Sequence, residues 1–319
     1  MHSSVRLLLT SLSTEKQSLT KWIILFWTEK IKHIRFDLIK GVVALSDSPV
    51  CVVRSDYMKV GFIGSGNMCG AIVDGMIKSG YSENDITVSG VDTEQLDVFM
   101  RQYGVITSTD NAAVTADSDI VFLCVKPNVI YTVIDEIKDY TDNTIVVSIA
   151  AGQSIEKLNN AFGKKVKLIR LMPNTPALVG EGMTAITPGE GVSDEDVATV
   201  KKILDSFGKS EIVPEKLMDA VTAVSGSSPA YVFMFIEAMA DAAVMGGMPR
   251  KQAYTFAAQA VMGSAKLALE TGLCPAALKD MVCSPAGTTI DAVASLERSG
   301  FRSAVIDAMK ACMDKSKSM

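Results

Sequence analysis

Histidine is almost missing from this sequence. Its 319 residues hold two, His2 and His33, and the stretch from Met58 onward holds none. For that stretch the absence excludes a Ser-His-Asp triad, histidine ligands to zinc and a histidine general acid. A reaction that asks little proton transfer of the protein fits best. Cysteine is sparse as well: Cys51, Cys69, Cys124, Cys274, Cys283 and Cys312 show no CxxC spacing, which reads as reduced thiols in a cytoplasmic protein without a zinc site. There is no basic excess. A net charge of −5 and a pI near 5.2 argue against nucleic-acid and membrane-surface partners, because no face could neutralise several phosphates. The apolar run from Trp22 to Trp27 is bounded by Lys21 and Lys30, far short of the roughly 20 residues a membrane span needs. Glu237 and Asp241 share a helix face without a third ligand, so no metal is expected.

What is present is organised around Lys59 to Gly70, KVGFIGSGNMCG. Val60, Phe62 and Ile63 form a short apolar run ending at Gly64, and a helical pattern follows with Ile72, Val73, Met76 and Ile77 on one face. This is strand, tight glycine turn, helix. Gly64 can take the positive φ of the turn, and Gly66 leaves the helix-start N–H groups open to a pyrophosphate. The pattern is the dinucleotide fingerprint, with Cys69 at the third glycine position and small enough to serve there.

Downstream the elements alternate. Strands are expected at Ile86–Ser89, Val105–Thr107, Ile120–Val125, Thr144–Ala150 and Val166–Leu171, with helices between them, one capped by Thr93 and another over about 129–140. IVFLCV is a continuous apolar run of the kind buried on both faces of a parallel sheet. The fold class is therefore α/β, a Rossmann-type doubly wound sheet with ligands at the carboxyl ends of its strands. Ser89, at the tip of the second strand, suits a ribose 2′-phosphate better than a free 2′-OH, and Asp92 follows shortly after. This favours NADPH and leaves NADH possible. Beyond Pro188 the pattern reads as helical only, with helices at 194–207, 216–224, 229–245, 252–271, 288–296 and 301–312. That part is rich in Ala and Met and too apolar to stand alone, so it is expected to pack against a second copy.

The boundaries follow: residues 1–57 as a leader, 58–220 as the NAD(P)-binding domain and 221–319 as an all-α dimerisation and substrate domain. The leader carries both tryptophans and eight Lys or Arg against five acids. It lacks a cleavable apolar region and reads as an appended, poorly ordered segment.

Two helix starts in the second domain look chemical: SGSSPAY at 225–231 and SPAGTT at 284–289. Free N–H groups beside hydroxyls hold a carboxylate well, although either could be a simple cap. Taken in order, GFIGSGNM, VKP at 125–127, AAG at 150–152, RLMPNTP at 170–176, SGSSPAY and SPAGTTIDAV, together with LKDMV at 278–282, make residues 58–319 resemble the pyrroline-5-carboxylate reductase family. The resemblance implies hydride transfer from NAD(P)H to 1-pyrroline-5-carboxylate, giving L-proline. It implies that Gly64, Ser65, Gly66, Asn67 and Met68 hold the pyrophosphate and that Ser89 and Asn111 lie on the adenosine side. Val125, Lys126, Pro127, Ala150 and Ala151 would lie on the nicotinamide side. Ser284, Gly287, Thr288 and Thr289 would cradle the substrate carboxylate, with Thr289 as the catalytic hydroxyl nearest the ring nitrogen and Glu215 also on the substrate side. An intertwined homodimer, sometimes built up into a decamer, is implied too.

The chain departs from the family at Ser228 and Ala286, where glycine is usual, and at Met281, where Asn or Gln is usual. Alanine is strained where φ is positive. Two alternatives stay open. A β-hydroxyacid dehydrogenase shares the first domain but should carry a catalytic lysine and asparagine where this chain has SGSSPAYVF. A non-catalytic regulatory or ligand-binding relative would keep the fold without turnover.

Overall fold

Short, wholly apolar strands set the architecture. The computed structural model describes residues 58–318, together with the backbone of two antiparallel strands upstream, β1 (Ile34–Asp37) and β2 (Val42–Leu45). The expectations for the leader as a poorly ordered segment and for the Trp22 to Trp27 run lie outside the described residues. From Met58 the order is β3 (Val60–Ile63), α1 (Asn67–Lys78), β4 (Ile86–Ser89), α2 (Thr93–Tyr103), β5 (Ile106–Ser108), α3 (Asn111–Ala116) and β6 (Ile120–Leu123). Then come α4 (Ile130–Ile137), β7 (Ile145–Ser148), α5 (Ile155–Phe162) and β8 (Lys167–Met172). Every residue of β3, β6 and β7 is buried, as a parallel sheet covered by helices requires. The spatial order β8-β7-β6-β3-β4-β5 is parallel throughout. The order in which strands are added reverses between β3 and β6, the point where such sheets open a crevice.

Each face of the sheet has its own core. Phe62, Phe122, Ile72, Met76, Ile203 and Phe207 fill one, and Ile63, Leu123, Ile130, Ile134 and Leu158 the other. The rings of Phe62 and Phe122, on the two central strands, stack with centroids 4.9 Å apart. Asp92, rather than the expected Thr93, caps α2, its Oδ1 accepting from the N–H groups of Glu94 and Gln95.

The sheet extends further than the sequence pattern indicates. β9 (Gly182–Pro188) runs antiparallel to β8, and after α6 (Asp194–Leu204) β10 (Gly208–Ile212) runs parallel to β9. β10 is GKSEI, an edge strand whose charges and polarity hide it from an apolar-periodicity reading. Its glycine is required by contact, since a Cβ on Gly208 would sit 2.1 Å from Gly182 O.

A tight turn at Glu215–Leu217 leads into α7 (Met218–Val221), a π turn (Thr222–Gly226) and α8 (Ser228–Met245). The helix expected over 216–224 is thus broken into pieces. α9 (Arg250–Thr271), α10 (Pro275–Val282), α11 (Thr288–Arg298) and α12 (Phe301–Lys317) complete the chain, α10 being a helix that periodicity did not reveal. From α8 onward the only buried apolar residues are Ala240, Ala253 and Ala257, while Phe233 is 64% exposed and Met245 89%.

Replacing Phe122 by alanine removes one ring of the central stack and leaves a void between two buried strands. The expected loss is about 3–5 kcal/mol of unfolding free energy, read from urea unfolding followed by far-ultraviolet circular dichroism. A loss below about 1 kcal/mol would place the core elsewhere.

Candidate active site

The crevice between β3 and β6 is closed at its base by backbone. Cys124 N donates to Ile63 O at 2.8 Å and Gly64 N to Ser89 O at 2.8 Å. Gly64 stands at φ 105°, where a Cβ would lie 2.6 Å from Cys124 O. Only glycine satisfies both demands. Next in the turn, Ser65 is buried and its hydroxyl donates to Gln95 Oε1 at 3.0 Å, away from the crevice. Gly66 is the N-cap of α1 and makes no side-chain cap, and the first turn holds no acid. The helix's first bond runs from Gly70 N to Gly66 O, so the N–H groups of Asn67, Met68 and Cys69 have no acceptor among the described residues. A Cβ on Gly66 would meet nothing within 4 Å. Free donors at a positive helix end behind open space fit a pyrophosphate. Cys69 is fully buried in the core against one face of the sheet, where burial, reinforced by the neighbouring Cys124, raises its thiol well above the ordinary value.

The tip of β4 differs from the sequence reading. Ser89 is fully buried, and its hydroxyl, with a single proton, donates to Asn111 Oδ1 at 2.6 Å while lying 3.3 Å from Phe62 O. The hydroxyl therefore does not stand at the surface where a 2′-phosphate would meet it. The exposed tip is Val91 and Asp92, and the Asp92 carboxylate is engaged as the α2 cap. Asn111 Nδ2 in turn donates to Glu136 Oε2 at 2.6 Å. Ser89, Asn111 and Glu136 thus form one chain of bonds behind the tip of β4; Glu136 carried no signal in the sequence.

At the carboxyl ends of β6 and β7 lie the other two loops. Lys126 is exposed and pairs with no acid among the described residues. Ala150 is buried, and its N–H donates to Ser148 Oγ at 3.3 Å. Gln153, just past the AAG segment, accepts from the Tyr131 hydroxyl at 2.6 Å. Glu215 Oε1 accepts from Arg170 Nη1 at 2.9 Å and from the Ile155 N–H at 2.8 Å, tying β8 and the start of α5 to the entrance of the helical part. Asn174 does the same from the other side: its Oδ1 accepts from Met183 N and its Nδ2 donates to Ser225 O in the π turn. Tyr131, Gln153, Arg170 and Asn174 were all missed as site-shaping residues, since nothing in one sequence pairs positions so far apart.

The structure brings Gly64–Met68, Ser89, Asn111, Val125–Pro127, Ala150–Ala151 and Glu215 to one edge of the sheet. It does not bring Ser284–Thr289 there within the chain. That loop's backbone bond among the described residues is internal, Gly287 N to Ser284 O at 3.1 Å. Ala286 is the one non-glycine residue with positive φ among the described residues, at 54°. In SGSSPAY the hydroxyls of Ser225 and Ser228 donate back to Val221 O and Val224 O, and the Cys312 thiol donates to Ser227 Oγ. Those serines build a joint and are not caps.

Comparison with known proteins agrees with this geometry. A family model described as pyrroline-5-carboxylate reductase dimerisation matches residues 215–319, and one described as NADP oxidoreductase, coenzyme F420-dependent, matches residues 59–152. The pyrroline-5-carboxylate reductase of Escherichia coli (strain K12) is 53% identical over 263 residues, 82% of this chain and 98% of its own length. That of Methanosarcina acetivorans is 44% identical over 266 residues, 83% of this chain and 98% of its own. The solved pyrroline-5-carboxylate reductase of Coxiella burnetii superposes with a TM-score of 0.78 at 35% identity, covering 82% of this chain and 98% of that one. The Plasmodium falciparum pyrroline carboxylate reductase with NADP bound gives 0.75 at 32% identity, covering 82% and 97%.

Two substitutions test the site's physical account. Gly66→Ala should lower stability by less than about 1 kcal/mol, because its methyl meets no atom. The methyl stands before the free N–H groups, so NADPH affinity measured by calorimetry should fall roughly tenfold or more. Ala286→Gly relieves a left-handed strain of about 1 kcal/mol against an unfolded-state entropy gain of roughly 0.5–1 kcal/mol. Its melting temperature should equal or slightly exceed the parent's, and a clear fall would contradict the strain.

Proposed function

The chain belongs to the pyrroline-5-carboxylate reductase family, and from that premise we infer how its residues serve the reduction of 1-pyrroline-5-carboxylate to L-proline, the last step of proline synthesis, with NAD(P)H as reductant. The observation that carries the arrangement is the open, donor-lined start of α1 at the switch point of the sheet. Gly64, Ser65, Gly66, Asn67 and Met68 hold the pyrophosphate there. Asn111, held by Ser89 and Glu136, faces the adenosine half, and Val125, Lys126, Pro127, Ala150 and Ala151 border the nicotinamide half. The bound reduced nicotinamide supplies the hydride to the C=N carbon. The chain's own task is placement. Ser284, Gly287, Thr288 and Thr289 cradle the substrate carboxylate at the start of α11, with the Thr289 hydroxyl nearest the ring nitrogen. Glu215 commits Oε1 to Arg170 and Ile155, which leaves Oε2 for the substrate side. A protonated imine is already electrophilic, so a body without histidine suffices.

Among the described residues the 284–289 loop makes no hydrogen bond to the sheet loops, and α8 to α12 leave many large apolar side chains exposed. A homodimer of intertwined helical domains accounts for both: it covers those faces and carries the 284–289 loop to a coenzyme cradle. Dimers can assemble further into a decamer. The stretch Glu215–Met245 is long and apolar enough by length and composition to cross a membrane. We assign its apolar face to the second copy, and with an acidic chain we place the protein in the cytoplasm without nucleic-acid or membrane partners. NADPH is the proposed coenzyme, with NADH able to replace it because the Ser89 hydroxyl is turned inward.

Oxidation of NADPH and of NADH should depend on added pyrroline-5-carboxylate, equally in the full chain and in one starting at Met58. Coenzyme binding without that turnover would favour the non-catalytic alternative. Thr289→Ala should lose on the order of 1–3 kcal/mol in kcat/KM with NADPH affinity unchanged; an unchanged rate would remove Thr289 from the site.

A further inference from the structure

The loops at the carboxyl ends of β6 and β7 separate quickly once the strands end. The last ladder bond between them is long, Ile149 N to Leu123 O at 3.4 Å. Beyond it, among the described residues, one bond joins the two segments: the Tyr131 hydroxyl donates to Gln153 Oε1 at 2.6 Å. Tyr131 lies in the first turn of α4, just past Lys126 and Pro127, and Gln153 lies between Gly152 and the α5 cap Ser154. Gln153 is 7% exposed, and its side-chain bond among the described residues is the one its Oε1 accepts from Tyr131. Stability alone does not ask for a glutamine here. A mostly buried amide is penalised unless bonded. An apolar side chain would pack there without that penalty. What the amide provides is a fixed length between two loops that the sheet no longer holds together. Gly152 O, which accepts from Lys157 Nζ at 3.3 Å, is anchored only to its own helix and does not substitute for it.

We propose that Tyr131 and Gln153 form a clasp that sets the gap between Lys126–Pro127 and Ala150–Gly152, making both of them positioning residues for the nicotinamide half of the coenzyme. The clasp rests on the coenzyme placement proposed above. Tyr131→Phe removes only the hydroxyl, and Gln153→Met removes the acceptor at similar volume. In the full chain each should weaken NADPH binding roughly threefold to tenfold, measured by calorimetry. Adenosine 2′,5′-bisphosphate, which fills only the adenosine half, should bind both variants as it binds the parent. The double variant should lose no more than either single one, because both remove the same bond. Unchanged NADPH affinity in Tyr131→Phe, or equal weakening of the dinucleotide and the fragment, would overturn the clasp. A parent chain that binds neither ligand would overturn the coenzyme placement itself, and the clasp with it.

Discussion

The backbone contact between β3 and β6 is the constraint on which the rest depends. Because Gly64 carries no Cβ, its turn can pass against Cys124 O, and α1 can begin directly above the crevice with its first N–H groups turned outward. Had the strands stood further apart, the start of α1 would be one more helix end facing solvent. The stacked rings of Phe62 and Phe122 lie on these same two strands, so the deepest part of the core and the tightest part of the site are one structure. Core packing here is what brings the donors of one strand and the loop of the next within reach of a single ligand.

How much of this could be read from the residues depended on whether the signal was local. The runs VGFI, IVFL and IVVS are buried at every position, and their composition alone marks them as central parallel strands. The glycine turn, its helix and the motifs on the strand ends were equally legible, because each is a few adjacent residues obeying one steric rule. β10 was not, since an edge strand can be as polar as GKSEI and still pair. Nor was the break between α7 and α8: a π turn has the same apolar composition as a helix, and what stabilises it is Asn174, donating to Ser225 O from far away in the chain. Ser89 shows the limit most clearly. Its place at the strand tip was right, but alternation along a strand does not say which way a tip residue turns once the strand ends, and here it turns inward to Asn111.

The two halves of the chain differ in what they can achieve alone. The sheet buries large side chains on both faces and fixes its loops with bonds between elements distant in sequence, such as Arg170 to Glu215. From α8 onward the buried apolar residues among the described ones are small alanines, and an interior of that kind supplies little hydrophobic stabilisation. Apolar faces of this extent are the mark of an association surface. Linkage then makes the fold of the helical part depend on protein concentration, as for any state stabilised by binding. The 284–289 loop, proposed above to hold the substrate, sits in that part, so on that proposal substrate binding and association draw on the same contacts.

This division suits the chemistry. Reduction of a protonated imine needs no general acid poised near neutrality, so a chain can dispense with histidine throughout its folded body provided that donor and acceptor carbons are held at reacting distance. Placement then carries the catalytic burden, and the structure concentrates its long-range polar bonds where placement is decided. Ser89 with Asn111 and Glu136, Tyr131 with Gln153, and Arg170 with Glu215 each join elements that the sheet ladder leaves apart. None of these residues belongs to the apolar core clusters on the two faces of the sheet. Their common property is that each fixes the distance between two elements far apart in the chain, which is the quantity on which a reaction governed by orientation depends.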